Sequence, residues 1–210
     1  GLKTAGGTLE YPESLITGGE LGGLVDFRRD SLDLVVNELG RVAASLALTF
    51  NAQHELGQDL EGRIAGDTGF VGDFFTITDP KVISHAYNTG SGNLTASFMA
   101  PVAPSAPDYS GNFYTQLTTS DYRVQFGAAG AYSITRLDDN QVVASGSGVG
   151  VVTFDGVSLN IAAVGANGDK FIIQPVSEVA RNIGIDSSIN ADPRLVAAAA
   201  PIRVSPLQTN

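Results

Sequence analysis

The strongest constraint on the fold is a helical repeat in the first third of the chain. Between Glu20 and Leu56 the apolar residues recur every three or four positions, as they do on one face of an α-helix. They are Leu32, Val35, Val36, Leu39, Val42, Ala43, Leu46 and Phe50, and the opposite positions hold Asp33, Asn37, Arg41 and Ser45. The spacing predicts one helix over residues 20–56, several times the average length. It fits either a helix in the core or an interface in a long helical bundle.

The ends of this helix also have sequence signals. Thr17 and Glu20 have the spacing of a capping box, which satisfies free backbone donors in the first turn. Gly57 is placed to end the helix in a left-handed conformation. The Gly22-Gly23 pair weakens the helix, and we expect a bend or break there.

The second half of the chain indicates antiparallel strands. Apolar residues alternate with polar ones after residue 70, and Gly, Asn and Asp interrupt the alternation. Asp155-Gly156 and Asn167-Gly168 are typical of two-residue hairpin turns. The predicted strands cover residues 93–99, 122–126, 132–137, 141–144, 151–154, 157–161 and 170–174. The fold class is therefore α+β: a long helix or helical subdomain, then an antiparallel β-rich domain resembling a small sandwich or barrel.

Composition excludes several classes of function. The 210 residues include 22 acidic and 12 basic side chains, for a formal net charge of −10. This balance argues against binding to nucleic acid or to an anionic membrane surface, since both need clustered cations. The absence of cysteine removes disulfides and thiolate metal sites. No apolar run approaches the roughly 18 residues of a spanning helix, and the first residues do not form a signal sequence.

Residues for catalysis are sparse. His54, near the predicted helix end, is interpreted as structural, and His85 lies in a loop without the partners of a triad. Residues 146–150 lack the Lys-Ser/Thr ending of a phosphate loop. Three carboxylates share one side of the helix and fit a solvated, salt-bridging face: Asp26, Asp30 and Asp33. We therefore expect no catalytic, cofactor-binding or metal-binding residues, no cofactor and no enzymatic activity.

One segment resembles a known family. The run from Leu15 to Asp30 closely resembles the helix entry of the first flagellar hook-associated proteins, the FlgK family. The Asn-x-Gln-His motif at residues 51–54 and the Phe-Phe pair at 74–75 follow in the family's order and spacing. Blocks at 120–124, 132–137, 154–157 and 168–171 resemble its outer β domain. The residues that match the family motif are Gly18, Gly19, Leu21, Gly22, Gly23, Phe27, Arg28, Asn51 and His54.

The resemblance implies a structural protein that connects the flagellar hook to the filament through subunit packing. It implies a helical inner region over residues 1–75, a β-rich outer domain over 76–200, and a tail, 201–210, leading to the family's C-terminal helix. The family's terminal coiled-coil segments have no counterpart here, so we expect an interior fragment. The helical packing stripe is expected to comprise Leu32, Val36, Leu39, Val42, Leu46 and Phe50.

Partners and location follow from the same resemblance. They are other copies in a ring, the hook protein, the second hook–filament junction protein and an export chaperone whose binding region is expected to be absent. The implied location is the extracellular flagellum, reached through the flagellar type III apparatus without a cleaved signal. Two alternatives stay open: another axial protein, either the second junction protein or a flagellin-like one, and an adhesive or carbohydrate-binding β module.

Overall fold

A computed structural model describes residues 2–4, 7–9, 18–103 and 113–199 of the chain. Near the N-terminus, β1 (Leu2–Thr4) and β2 (Gly7–Leu9) pair antiparallel. The predicted C-terminal tail, residues 201–210, lies outside the described residues, as does part of the Pro-rich stretch at 104–107.

The predicted long helix is confirmed, with one irregular turn. It consists of α1 (Gly19–Phe27), a π-helical turn (Arg28–Leu32) and α2 (Asp33–His54). The expected bend at Gly22-Gly23 is wrong, because α1 runs through both glycines without interruption. A glycine lowers helix propensity but does not by itself break a helix. The irregularity lies at the π turn, where the Asp33 N–H donates to the carbonyl of Arg28, five residues earlier.

Both predicted helix ends need correction. The N-cap is Gly18, with no side-chain cap, and Thr17 lies outside the described residues. At the other end α2 stops at His54, and Glu55 caps it in a helical conformation. Gly57 is not left-handed. A Cβ there would lie 2.0 Å from the carbonyl oxygen of Ala197, so the glycine permits close backbone contact.

The rest of the described chain forms short strands and two short helices. In chain order they are β3 (Phe75–Thr76), β4 (Lys81–Ser84), β5 (Asn93–Phe98), β6 (Tyr122–Phe126), β7 (Ala131–Arg136), β8 (Val142–Ser147), β9 (Gly150–Phe154), β10 (Val157–Ala163), β11 (Lys170–Gln174), α3 (Val179–Asn182), β12 (Gly184–Ile185) and α4 (Ser187–Ala191). The predicted strands agree with β5 to β11 to within a few residues. The short strands β3, β4 and β12 lacked a recognisable alternation.

Two antiparallel sheets face each other across one core. One has the order β4-β11-β6-β7-β8 and the other β5-β10-β9, while β3 pairs separately with β12. The five-stranded sheet contributes Tyr122, Val124 and Ile134 to the core, and the three-stranded sheet contributes Leu159 and Ile161. The rings of Tyr122 and Phe154 meet at 4.8 Å across the two sheets. The edges of both sheets are open, so the β-rich domain is a sandwich and not the barrel that the sequence also allowed.

The two predicted hairpin turns have different outcomes. Asp155 and Gly156 both adopt positive φ, 41° and 76°, and join β9 to β10 as a tight hairpin. Gly168 also has positive φ, 95°, but it connects β10 to β11, which belong to different sheets. The hairpin prediction at Asn167-Gly168 is therefore wrong. A turn signal fixes local geometry, whereas the core decides which strands pair.

The face of α2 that packs on the β sandwich consists of small and polar residues. Gly40, Ala44 and Ala47 are buried. The Asn37 amide donates to the carbonyl of Thr119 at 3.0 Å, and the hydroxyl of Ser45 bonds that of Thr115 at 2.6 Å. Asn37 and Ser45 lie opposite the apolar residues of the helix, so the polar side of the helical pattern makes the contact to the sandwich.

Candidate functional site

The large apolar side chains of the long helix are exposed. Ten of them, each between 41% and 62% exposed, lie along α1, the π turn and α2. They are Leu21, Leu24, Phe27, Leu32, Leu34, Val35, Leu39, Val42, Leu46 and Phe50. Of the predicted stripe, only Val36 is half-buried. We call Leu32, Val36, Leu39, Val42, Leu46 and Phe50 the apolar stripe.

The stripe is exposed because the helix packs through its other face. A helix with Gly and Ala toward the sandwich approaches it closely, and its long side chains then point away. Each Å² of apolar surface removed from water is worth about 25 cal/mol, so an uncovered row of this size is unfavourable for an isolated chain. Contiguous apolar patches of this kind mark interaction surfaces. Of the two interpretations of the stripe, its exposure favours the interface.

The π turn joins the apolar residues of α1 to those of α2. Phe27 and Leu32 are five residues apart, which in an ideal α-helix places them on different sides. Hydrogen bonding between residues five apart widens the turn by one residue and brings them toward the same side. Arg28 forms an exposed ion pair with Asp33 at 3.6 Å across this turn.

Different structural features explain why the positions of the family motif hold glycine. Gly18 and Gly19 have φ of 84° and 69°, which other residues rarely adopt, so the pair sets the chain direction at the start of α1. Gly22 is buried, while Gly23 is exposed, and a Cβ added to it would have no atom within 4 Å. The motif's apolar residues, Leu21 among them, are exposed.

Asn51 connects the end of α2 to the last residue of the connecting loop, residues 55–74, and to the start of β3. Its Oδ1 accepts hydrogen bonds from the backbone N–H groups of Phe74 and Phe75, at 3.0 and 2.8 Å. Its Nδ2 donates to the carbonyl of Phe75 at 2.8 Å. The buried amide thus pairs with three backbone groups in the way a neighbouring strand would.

His54 makes a second buried connection. It is 3% exposed, and its Nδ1 lies 2.8 Å from the carbonyl oxygen of Gly72, which can only accept. Its Nε2 lies 2.8 Å from the backbone N of Ala197, which can only donate. These partners specify a neutral imidazole with the proton on Nδ1. His54 therefore joins α2, the connecting loop and the segment near residue 197, and both nitrogens are occupied.

Sequence reasoning missed the buried carboxylate of Asp169. It accepts the N–H groups of Thr89, Gly90 and Ala166 at 2.8 to 2.9 Å. The hydrogen bond from Thr89, with those from Ala166 and Gly90, lowers the pKa of Asp169 against the opposing effect of burial. A single Asp after Asn167-Gly168 gives no sequence signal for long-range contacts.

Asp169 predicts a specific dependence of stability on pH. Because its pKa is lowered by folding, its contribution is present above the ordinary Asp value near 3.9 and is lost as pH falls through the folded value. We expect Asp169→Asn to unfold at lower urea concentration than the parent at pH 7. The difference should narrow as pH falls below that ordinary Asp value.

The matched control is Asp79→Asn, an exposed carboxylate without a hydrogen bond among the described residues. Urea titrations from pH 7 to 2.5 should show little effect of this control at any pH. Equal destabilisation by Asp169→Asn at pH 7 and pH 2.5 would contradict the role assigned to the carboxylate.

Metal-binding clusters and helices that could span a membrane are absent from the described ranges. Across residues 18–103 and 113–199, no cluster of three or more His, Asp or Glu side chains could hold a metal ion. No helix within the described ranges has the length and apolarity needed to span a membrane. His85 is exposed, and its Nδ1 lies 3.3 Å from the backbone N of Tyr87.

Comparisons with known proteins find matches in both the helical and the β-rich part of the chain. The family model described as the flagellar hook-associated protein FlgK helical domain matches residues 1–75, and that of the flagellar hook-associated protein 1 D2-like domain matches residues 83–175. Flagellar hook-associated protein 1 of Salmonella typhimurium LT2 is 31% identical over 192 residues, 91% of this chain and 31% of that protein. The Escherichia coli K12 protein of the same name is 32% identical over 180 residues, 85% of this chain and 29% of that protein.

A solved structure is also similar. The flagellar hook junction protein FlgK from Burkholderia pseudomallei has a TM-score of 0.71 and 30% identity, covering 90% of this chain and 31% of that chain. The chain thus spans about a third of the length of these relatives. The fold and the matches place the chain among the flagellar hook-associated proteins. Within that class, the chain belongs to the flagellar hook-associated protein 1 (FlgK) family.

Proposed function

We propose that this chain is the part of a hook–filament junction protein that holds subunits together through the apolar stripe of its long helix. The observation that carries the proposal is the exposure of the apolar stripe, in which Leu32, Leu39, Val42, Leu46 and Phe50 are each between 41% and 60% exposed. In the assembled junction, helices from the rest of the protein and from neighbouring copies cover this row. The protein acts by packing and not as an enzyme.

The same proposal assigns roles to the regions of the chain. Residues 1–75 form the inner helical region, 76–200 the outer β domain, and 201–210 lead toward a further helix. Support comes from the helix packing on the sandwich through small residues, which leaves its large residues for other partners. The partners are copies of the protein in a ring, the hook protein and the second junction protein. An export chaperone and the flagellar type III apparatus deliver the complete hook–filament junction protein to the extracellular flagellum.

The test is to place Leu39→Asp and Leu46→Asp in the complete protein in the flagellated bacterium. A buried carboxylate without a partner is strongly unfavourable, so each change should reduce swimming at least tenfold and release unattached filament protein into the medium. Leu34→Asp is the matched control. Leu34 is similarly exposed on the same helix but lies outside the stripe.

A second measurement separates packing from folding. In the 210-residue chain these leucines are already exposed, so each substitution should change the free energy of unfolding by no more than about 0.5 kcal/mol. Normal swimming of both stripe variants, or an equal loss with Leu34→Asp, would contradict the proposed use of the stripe.

A further inference from the structure

Two cations on the five-stranded sheet have no anionic partner. Arg123 and Lys170 lie on the solvent face of this sheet, because the residues next to them on β6 and β11 are in the core. The other Lys and Arg side chains that the structure describes each form an ion pair with Asp or Glu. The side chains of Arg123 and Lys170 form none with any described residue, although the chain has 22 acidic residues and a net charge of −10.

These two cations are neighbours on adjacent strands. The strand register places Arg123 opposite Ile172, and it places Lys170 opposite Gln125, so the cations are diagonal to each other. The Nε of Arg123 is buried and has no hydrogen-bond partner within the described ranges. A guanidinium with free N–H donors is well suited to bind a carboxylate through two parallel hydrogen bonds. Ile83, opposite Ile172 on β4, is exposed and adds apolar surface. We call these five residues the cationic sheet face.

A groove of the opposite character lies between α2, β3 and β5. It has a volume of about 300 Å³, and no Lys or Arg lines it. Asp73 and Asp79 line the groove and are exposed, and neither side chain forms an ion pair or hydrogen bond with a described residue. The apolar part of the lining consists of Leu48, Phe75, Ile77 and Phe98. We call these six residues the acidic groove.

We propose that the acidic groove of one copy binds the cationic sheet face of the next copy. In this contact the two carboxylates of the groove pair with Arg123 and Lys170, and the isoleucines of the sheet face lie against the apolar lining. Within one chain the two surfaces do not meet, since none of the four charges has an intramolecular partner among the described residues. Each surface therefore lacks what the other provides, and every copy carries both.

The contact joins two different surfaces, so it needs no two-fold axis. Such a heterologous contact repeats from copy to copy in one direction, as in the ring of copies proposed above, on which this inference rests. Complementary charge also gives copies with a net charge of −10 one place at which they attract each other. Exposed ion pairs contribute little individually, so the contact is weak in dilute solution and is best trapped covalently.

The absence of cysteine allows the contact to be trapped between two different single-cysteine proteins. Gln125→Cys places a thiol on the cationic sheet face, and Ser97→Cys places one at an exposed position that lines the acidic groove. Under mild oxidation of the concentrated mixture, the mixed disulfide should form at least about fivefold faster than either symmetric dimer, because unlike surfaces bind and like surfaces do not. Mass spectrometry distinguishes the three products.

The control protein for this experiment is Val149→Cys, at an exposed position in the turn between β8 and β9 and outside both surfaces. In a mixture with Ser97→Cys it should show no preference for the mixed disulfide. Each rate is divided by the rate of the same thiol with a small neutral disulfide, which removes differences in thiol reactivity. Melting curves of the reduced proteins show whether the variants fold.

Charge reversal gives the second arm. Lys170→Glu in the Gln125→Cys protein should slow the mixed disulfide at least about threefold. Asp73→Lys with Asp79→Lys in the Ser97→Cys protein should then raise the rate again at least about twofold, because the pairing forms with the signs exchanged.

Two results would overturn the contact. One is a mixed disulfide that forms no faster than with Val149→Cys, and the other is a loss with Lys170→Glu that the exchanged charges do not restore. None of these substitutions lies in the apolar stripe, and swimming is not the measurement. A failure here is therefore distinguishable from a failure of the proposed function.

Discussion

Gly40→Ala is expected to destabilise the 210-residue chain by about 2 kcal/mol. A Cβ at this position would lie 2.0 Å from the carbonyl oxygen of Val176 and 2.9 Å from its carbonyl carbon. Neither atom belongs to a flexible side chain, and Val176 is fully buried, so α2 must move away from the segment that leads into α3. Overpacking of this kind typically costs about 1–3 kcal/mol, and the gain in helix propensity, up to about 1 kcal/mol, does not offset a backbone clash.

Gly23→Ala is the matched control, with the opposite sign expected. Gly23 lies inside α1, and a Cβ there would have no atom within 4 Å, so alanine adds propensity without a clash. It should stabilise the chain by about 0.5–1 kcal/mol. Urea unfolding followed by circular dichroism measures both changes. A Gly40→Ala protein as stable as the parent would show that α2 does not contact Val176.

These two glycines also show how far the sequence predicts this helix. The periodicity of its apolar residues predicted the helix and the stripe, because a repeat of about 3.6 residues is a property of the local sequence. It did not show which face meets the sandwich. The stripe has the larger residues, yet contact occurs through Gly40, Ala44 and Ala47, which permit close approach. Packing distance between elements is a tertiary property that hydrophobicity alone does not reveal.

The β sandwich was predictable for a similar reason and to a similar extent. Alternation located β5 to β11, since side chains on a strand point to opposite faces with period two. Sheet membership was not predictable. The turn at Asn167-Gly168 looks like a hairpin, but its strands belong to different sheets because each pairs with strands distant in sequence. Asp169, beside this turn, is held by two residues far away in the sequence, Thr89 and Gly90.

The motif residues were found by resemblance, but their physical roles came from the structure. Asn51 and His54 lie one helical turn apart at the end of α2, and the sequence alone indicates a structural role for His54 without a named partner. In the structure, Asn51 hydrogen-bonds to the backbone of Phe74 and Phe75. His54 lies within hydrogen-bond distance of the backbone of Gly72 and Ala197. Such contacts depend on where the chain returns after a long connection, and the Gly-rich connection itself gave no indication of its path.

Asn51→Ala is expected to have the other large effect on stability. The substitution removes three hydrogen bonds and leaves the N–H groups of Phe74 and Phe75 and the carbonyl of Phe75 without their partner. A buried polar group left unsatisfied costs about 1–3 kcal/mol, and partial access of water reduces the sum. We expect a loss of about 3–4 kcal/mol in the free energy of unfolding, with protection from hydrogen exchange lost first at residues 74–76.

The control is Thr49→Ala, which removes a hydroxyl bonded only to its own helix. It should cost less than about 1 kcal/mol in the free energy of unfolding.

Asn51→Asp tests the contribution of the donor, Nδ2, separately from that of the acceptor, Oδ1. The carboxylate keeps an acceptor for the two N–H groups but directs its second oxygen at the carbonyl of Phe75, where Nδ2 donated at 2.8 Å. At pH 7 this variant should be destabilised by about 2 kcal/mol or more, because a donor is replaced by a charged acceptor. Protonation restores an O–H donor, so folding raises the pKa of the introduced carboxyl above the ordinary Asp value near 3.9. The deficit relative to the parent should therefore shrink as pH falls toward that ordinary value, whereas the deficit of Asn51→Ala should not. Urea titrations at pH 7 and pH 3.5 measure both differences. Parallel pH profiles for the two variants would mean that Asn51 fills space and does not donate to Phe75.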